Sequence, residues 1–131
     1  MATRMNEKKI RNKEMRDTRP RAEARYIRIS PFKVRVVLNL LRGKSVNEAL
    51  AILESTPKAA SEPVTKLIRS ATANAEHNQG LSRADLRVAE IYAGAGPILK
   101  RMQPQSKGRG HRINKRTSHI TVILDTAKES N

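Results

Sequence analysis

Cysteine is absent from this sequence of 131 residues, which excludes disulfide bonds and cysteine-ligated zinc. No apolar run approaches the roughly 20 residues that a membrane-spanning helix requires, and no apolar block of the signal-peptide type stands near residue 1. Aromatic residues make up only 2%, and Tyr26, Phe32 and Tyr92 are too few for base stacking along single-stranded nucleic acid. We therefore expect a small core of Ile, Leu, Val and Ala.

Acidic residues are also few. Lys and Arg number 27 against 12 Asp and Glu, so the formal net charge is +15 and the pI about 11.1. Self-repulsion of this size disfavours a compact chain unless a polyanion neutralises it. Nucleic acid is the first candidate for that partner and an anionic membrane surface the second.

The chain divides into three predicted segments. Residues 1–22 are charged and lack apolar periodicity, which predicts a basic N-terminal extension that is disordered without a partner. Residues 23–125 carry the periodic patterns of a globular domain. Residues 126–131 are predicted to be a C-terminal tail.

The apolar pattern predicts strands and helices in mixed order. Alternation predicts strands at 24–29, 85–93 and 118–124. Ser30 and Pro31 are typical of a helix start, and the stripe Val34, Val37, Leu38 and Leu41 predicts a helix that ends at Gly43. A capping box at 45–48 begins a second helix. A third is predicted to run from Thr56 or from Ser61 to about Gln79.

Residues 94–117 form the most informative segment. It has seven cations, four glycines and two prolines, and no acid occurs between Glu90 and Asp125. A structureless loop of this length is uncommon inside a compact domain. Because predicted strands flank the segment, we expect a hairpin whose arms of about 11 residues reach roughly 35 Å. Such arms bury little, so a surrounding polyanion would have to stabilise them.

Motifs of catalysis are weak in this sequence. The segment Gly43-Lys44-Ser45 resembles the end of a phosphate-binding loop, but Leu38 stands where that motif requires glycine, and a helix end followed by a helix start explains all three residues. The three histidines, at 77, 111 and 119, lack the spacing of metal ligands. The sequence therefore predicts no enzyme, no metal site, no cofactor and no small-molecule substrate.

Four separated stretches resemble one family. The segments ISPFKVRVVLNLLRGKSVNEALAIL (29–53), SATANAEHNQ (70–79), GPILKRMQP (96–104) and KRTSHITV (115–122) are similar to large-subunit ribosomal protein L twenty-two, the universal uL-twenty-two family. The resemblance runs in order from about residue 24 to residue 124. It implies an α+β fold with three helices packed on a small three-stranded antiparallel sheet and a long protruding β-hairpin.

The resemblance also implies a function. It implies a structural constituent of the large ribosomal subunit in the cytoplasm, which binds large-subunit ribosomal RNA, contacts neighbouring ribosomal proteins and supports early assembly. Its hairpin would line the exit tunnel and meet the nascent peptide transiently. Together with the charge pattern, it gives as expected RNA-binding residues Arg25, Arg28, Ser30, Lys33, Arg35, Asn74, His77, Asn78, Lys100, Arg101, Lys107, Arg109, Arg112, Lys115 and Arg116. The expected tunnel-lining tip comprises Ile98, Lys100, Arg101, Met102, Gln103, Gln105, Lys107, Gly108 and Arg109.

The sequence departs from the family pattern at two places. Phe32 stands where a basic residue is common, and Gln105-Ser106 stands where Arg-Ala is frequent.

Two other functions stay open. A DNA-binding domain would use the first predicted helix, where Lys33, Arg35, Asn39 and Arg42 lie, as a recognition helix. A membrane-active cationic protein would need a bulky apolar helix face, but the apolar stripes here are needed for the core.

Overall fold

The computed structural model describes residues 2–127 and shows an α+β fold with antiparallel sheets. Four α-helices and five strands follow in the order α1 (Ala2–Glu14), β1 (Arg21–Ile27), α2 (Pro31–Leu38), α3 (Val46–Ser55), α4 (Ser61–Gln79), β2 (Leu86–Ala95), β3 (Leu99–Pro104), β4 (Gly110–Lys115) and β5 (Ser118–Thr126). Residues 128–131 of the predicted C-terminal tail lie outside the described residues.

The strands form two antiparallel sheets. Strand β5 is central in a sheet of order β1-β5-β2, and β3 pairs with β4 in a separate ladder. Ala95 lies opposite Ser118 at the end of the first sheet, and Leu99 opposite Lys115 at the start of the second. Pro97 falls between them, and since proline has no N–H to donate, the ladder is interrupted there. The β3–β4 ladder therefore continues the β2–β5 ladder beyond this interruption, since β2 leads into β3 and β4 leads into β5.

Helices α2, α3 and α4 cover one face of the three-stranded sheet. Val34, Val37 and Leu38 of α2 are fully buried, as are Leu41 just after it and Val64 and Ile68 of α4. From the sheet, alternate residues Ile120, Val122 and Leu124 of β5 point into the same core. Aromatic residues are absent from this core, so its apolar contacts are aliphatic.

The predicted starts of the helices are confirmed, but α2 ends at Leu38 rather than at the predicted Gly43, and hydrogen-bonded turns follow over residues 39–43. The Ser45 hydroxyl accepts a hydrogen bond from the Glu48 N–H at 3.2 Å, which is one of the two reciprocal bonds of a capping box. Helix α4 starts at Ser61 rather than Thr56, and Gly80 ends it at φ +63°, where glycine has no steric penalty. Ser30 occupies the N-cap of α2, but its side chain makes no capping hydrogen bond.

The predicted count of three helices is wrong, and the predicted disorder of the N-terminal extension is wrong for residues 2–14. Residues 2–14 form α1, which consists mainly of good helix formers and contains neither glycine nor proline. The side chains of residues 3–14 are exposed, so intrinsic propensity rather than an apolar face specifies this helix. Strand β1 also starts earlier than predicted, at Arg21, because residues 21–24 pair with β5.

Candidate nucleic-acid interface

A basic cleft lies where the β1–α2 connection meets the base of the β3–β4 hairpin. It measures about 540 Å³, and its lining includes Arg28, Ser30 and Lys33 on one side and Lys115 and Arg116 on the other. None of its eight lining residues is acidic. Residues more than 80 positions apart in sequence thus place four cations around one opening, an arrangement that suits phosphate groups.

The hairpin distributes its charges over both of its faces. In its register Lys100 pairs with Asn114 and Met102 with Arg112, while Arg101 pairs with Ile113 and Leu99 with Lys115. Because side chains alternate along a strand, Lys100 and Arg112 lie on one face, and Arg101 and Lys115 lie on the other. Each cation faces a neutral residue across the ladder, which limits repulsion between the strands.

The tip is a tight turn whose side chains are all exposed. Gln105 N–H donates to the Arg109 carbonyl at 2.7 Å and closes the turn. Lys107 and Gly108 both have positive φ, at 63° and 70°. Every residue from 100 to 112 is exposed, including Met102, Gln103 and Gln105 of the predicted tip, and Ile98 is 38% exposed. The paired arms contain six residues each, so the regular hairpin extends about 20 Å rather than the predicted 35 Å.

A compact junction fixes where the hairpin leaves the sheet. The Thr117 hydroxyl donates to the Pro97 carbonyl at 2.7 Å, and Gly96 N–H donates to the Thr117 carbonyl at 2.9 Å. Beside them, Tyr26 N–H donates to Nδ1 of His119 at 3.1 Å, and the two rings pack edge to face. Tyr26 has φ +57°, at a bulge in β1. The alternating pattern of β5 places His119 on the opposite face from Ile120 but does not reveal this hydrogen bond.

Arg35 of α2 and Arg42, in the turns that follow α2, bind the free edge of β2. Arg35 donates from Nε and Nη2 to the Ala93 carbonyl at 3.2 and 3.0 Å, and Arg42 donates to the Ile91 carbonyl at 3.4 and 3.2 Å. These bonds satisfy carbonyls that would otherwise be unpaired at a sheet edge. Arg35, predicted to bind RNA, thus has a structural role that its position in sequence could not reveal.

The remaining predicted residues lie outside the cleft lining and the hairpin. Arg25 pairs with Glu23 at 3.1 Å, and the hydrogen bond raises the pKa of Arg25 above its ordinary value. Asn74 donates to the Arg21 carbonyl at 3.1 Å, near the start of β1. His77 and Asn78 are exposed on the last turn of α4, at that same end of the sheet. Asn74, His77 and Asn78 therefore lie at the end of the sheet away from the hairpin.

These features define a class of protein: a strongly basic α+β domain with an exposed cationic hairpin and a cleft suited to a polyanion. Among the described residues, no group of three His, Asp or Glu side chains could hold a metal ion. None of the helices in residues 2–127 is long and apolar enough to cross a membrane.

Comparison with known proteins gives the family. Residues 22–125 match the model of the family described as Ribosomal protein L22p/L17e. The large ribosomal subunit protein uL22 of Desulfitobacterium hafniense is 58% identical over 109 residues, which cover 83% of this chain and 96% of the relative. The corresponding proteins of Clostridium kluyveri and a Synechococcus species are 59% and 52% identical, over 79% and 88% of this chain and 94% and 95% of their own.

The chain belongs to the Ribosomal protein L22p/L17e family. It is thereby a structural constituent of the large ribosomal subunit rather than an enzyme, and family membership places it on cytoplasmic ribosomes. The family expected from the four sequence stretches is confirmed.

Proposed function

We propose that this protein binds large-subunit ribosomal RNA through the basic cleft and the hairpin, supports early assembly of the subunit, and lines the nascent-peptide exit tunnel with the hairpin tip. The observation that carries the proposal is the two-sided charge of the hairpin. A hairpin lying flat on RNA would need cations on one face only. Cations on both faces and at the tip suit a hairpin with RNA on all sides.

The basic cleft supplies the second part of this interface. Arg28 and Lys33 from the body and Lys115 and Arg116 from the hairpin line one opening, so phosphates bound there would join the hairpin base to the body. Binding would release counterions condensed on the RNA, and the entropy of that release would drive association. The exposed arms bury almost no apolar surface, so RNA contacts would stabilise them, which couples ordering to binding.

The two faces of the hairpin can be tested separately. One variant carries Lys100→Gln and Arg112→Gln, and a matched variant carries Arg101→Gln and Lys115→Gln. Binding of the full chain to deproteinised large-subunit RNA is measured against salt concentration. For an inserted hairpin, each variant should lower the magnitude of the salt slope by about 1.4 to 1.8, since each lost phosphate contact removes about 0.7 to 0.9. A loss confined to one variant would mean that the cations of the other hairpin face do not contact RNA, against the proposal.

The tunnel-lining tip can be tested because the chain has no cysteine. A single cysteine introduced as Gln105→Cys at the tip is expected to cross-link to a stalled nascent chain on assembled ribosomes. Asn47→Cys, on an exposed position of α3 in the body, is the matched control and should not cross-link. Equal cross-linking from both positions, or none from the tip, would contradict tunnel lining. For assembly, depletion of the protein should cause precursors of the large subunit to accumulate.

A further inference from the structure

We propose that helix α1 is a second RNA-binding element, which binds helical RNA at the end of the sheet opposite to the hairpin. The family match begins at residue 22, so α1 lies outside it. The proposal rests on the RNA binding proposed above, and adds a separate contact site to it.

Charge is segregated around α1. At 100° per residue, Arg4, Lys8 and Arg11 form one row of cations along the helix, and Lys9 and Lys13 form another. Asn12 lies in the arc between the two rows. The two acids, Glu7 and Glu14, are seven residues apart and share a narrow stripe roughly opposite the middle of that arc. The helix therefore presents a broad basic arc to one side and its acids to the other.

This arrangement fits a groove in helical RNA. A helix with its side chains is about 10–12 Å across, so the two basic rows can reach phosphates on both sides of a groove. Double-stranded RNA has a wide, shallow minor groove and is bound mainly by shape, phosphate and 2′-hydroxyl contacts. Asn12, between the rows, can both donate to and accept from a 2′-hydroxyl. With the basic arc in the groove, the acidic stripe would point away from the phosphates.

The helix is attached to the body at a fixed point. Arg19 pairs with Asp17 at 2.8 Å and with Glu90 of β2 at 3.0 Å. The amide of Gln79, at the end of α4, donates to the Thr18 carbonyl, and Leu124 N–H donates to the Pro20 carbonyl at 2.9 Å. Residues 17–20 thus form a clamp, which determines where α1 leaves the domain.

The clamp and the hairpin lie at opposite ends of the sheet. Strand β1 begins at Arg21, opposite Ile123, and ends at Ile27, opposite Ser118, where the hairpin departs. Six residue steps along β1 correspond to about 20 Å. The exposed His77 and Asn78 lie at the α1 end, on the last turn of α4. RNA bound by α1 would therefore belong to a different part of the folded RNA from that around the hairpin.

The free helix lacks stabilising packing, which is why a partner is expected. Its side chains from residue 3 to residue 14 are exposed, and an isolated helix of this length is marginal in water. A lipid surface would require a bulky apolar face. Met5 and Ile10 instead lie about 140° apart around the helix, so α1 has none. Phosphates that neutralise its cations would supply the stabilisation that packing does not.

Charge-neutral variants of the full chain test the proposal. Lys8→Gln with Arg11→Gln removes two charges from the first row, and Lys9→Gln with Lys13→Gln removes two from the second. Glutamine keeps helix propensity high, and circular dichroism verifies the fold. The matched control is Lys44→Gln with Lys66→Gln, two exposed lysines of the body that pair with Glu48 and Glu62. Binding to deproteinised large-subunit RNA is measured against salt, with hydroxyl-radical footprinting.

Each α1 variant should lower the magnitude of the salt slope by about 1.4 to 1.8 and lose protection at one RNA patch, while the control keeps both. That patch should differ from the one lost when the hairpin cations are removed. If the wild-type chain binds RNA but the α1 variants match the control, the α1 proposal fails alone. If the variants instead lose binding to anionic vesicles or to an acidic protein, it is also overturned. If the wild-type chain does not bind the RNA at all, the proposed function itself fails.

Discussion

The junction at the base of the hairpin makes a sharp prediction for Gly96→Ala. A Cβ on Gly96 would lie under 3.0 Å from the Thr117 hydroxyl, closer than real Cβ atoms approach, and 3.2 Å from Cε1 of His119. Thr117 is only 4% exposed and donates to the Pro97 carbonyl. The substitution should therefore displace the Thr117 side chain and break this buried hydrogen bond.

The magnitude follows from that bond. Leaving a buried polar group unpaired costs about 1–3 kcal/mol. Replacing glycine by alanine also restricts the unfolded chain, which offsets about 0.4–1 kcal/mol. A net destabilisation of about 1–2 kcal/mol is expected, equivalent to a drop in Tm of very roughly 4–8 °C. Because the hairpin is held at this junction, RNA affinity should fall as well, although no charge is removed.

Urea unfolding followed by circular dichroism measures this effect without RNA. Gly94→Ala is the matched control, since a Cβ there meets nothing within 4 Å, and it should leave stability unchanged or slightly raised. In a Thr117→Ala background the clash with the hydroxyl is gone, so Gly96→Ala should cost much less. Equal destabilisation by the two glycine substitutions, or an unchanged cost in that background, would refute the reasoning.

Three further predictions concern stability. Leu38→Ala should cost about 2–5 kcal/mol in chemical unfolding because Leu38 is fully buried, whereas Leu40→Ala, at a position 49% exposed, should cost far less. Ser45→Ala should cost about 1 kcal/mol in the same assay, through loss of the N-cap hydrogen bond. Hydrogen bonds from Arg19 lower the pKa of Asp17 from 3.8 to about 2, so its stabilisation is present above pH 4 and is lost as the pH falls toward 2. Asp17→Asn should flatten the pH dependence of thermal unfolding in that window, and an unchanged profile would contradict this.

Much of the fold could be predicted because local patterns specify it. The stripe of α2, the capping box at Ser45 and the left-handed glycine at the end of α4 each depend on residues close together in sequence. The register of β1 against β5 could not be predicted, because cross-strand pairing depends on partners about 100 residues away. Helix α1 was missed because apolar periodicity was the criterion used, and this helix has none.

The candidate site was only partly visible in the sequence. The cationic run of the hairpin was evident, but its two-sided charge depends on the register between β3 and β4. Arg28, Lys33 and Lys115 line the same cleft because of the way the hairpin base packs beside the β1–α2 connection, and this packing is not visible in the sequence. The edge-binding role of Arg35 was missed for the same reason, since sequence shows a charge but not its hydrogen-bond partner.

Sedimentation of cell lysate tests the central claim most directly, with the chain followed across the gradient before and after a high-salt wash. A hairpin with RNA on all sides predicts that the wild-type chain stays with large subunits through the wash, and that neutralising both hairpin faces releases it. Migration of the wild-type chain as free protein, or with DNA after RNase treatment, would contradict the account.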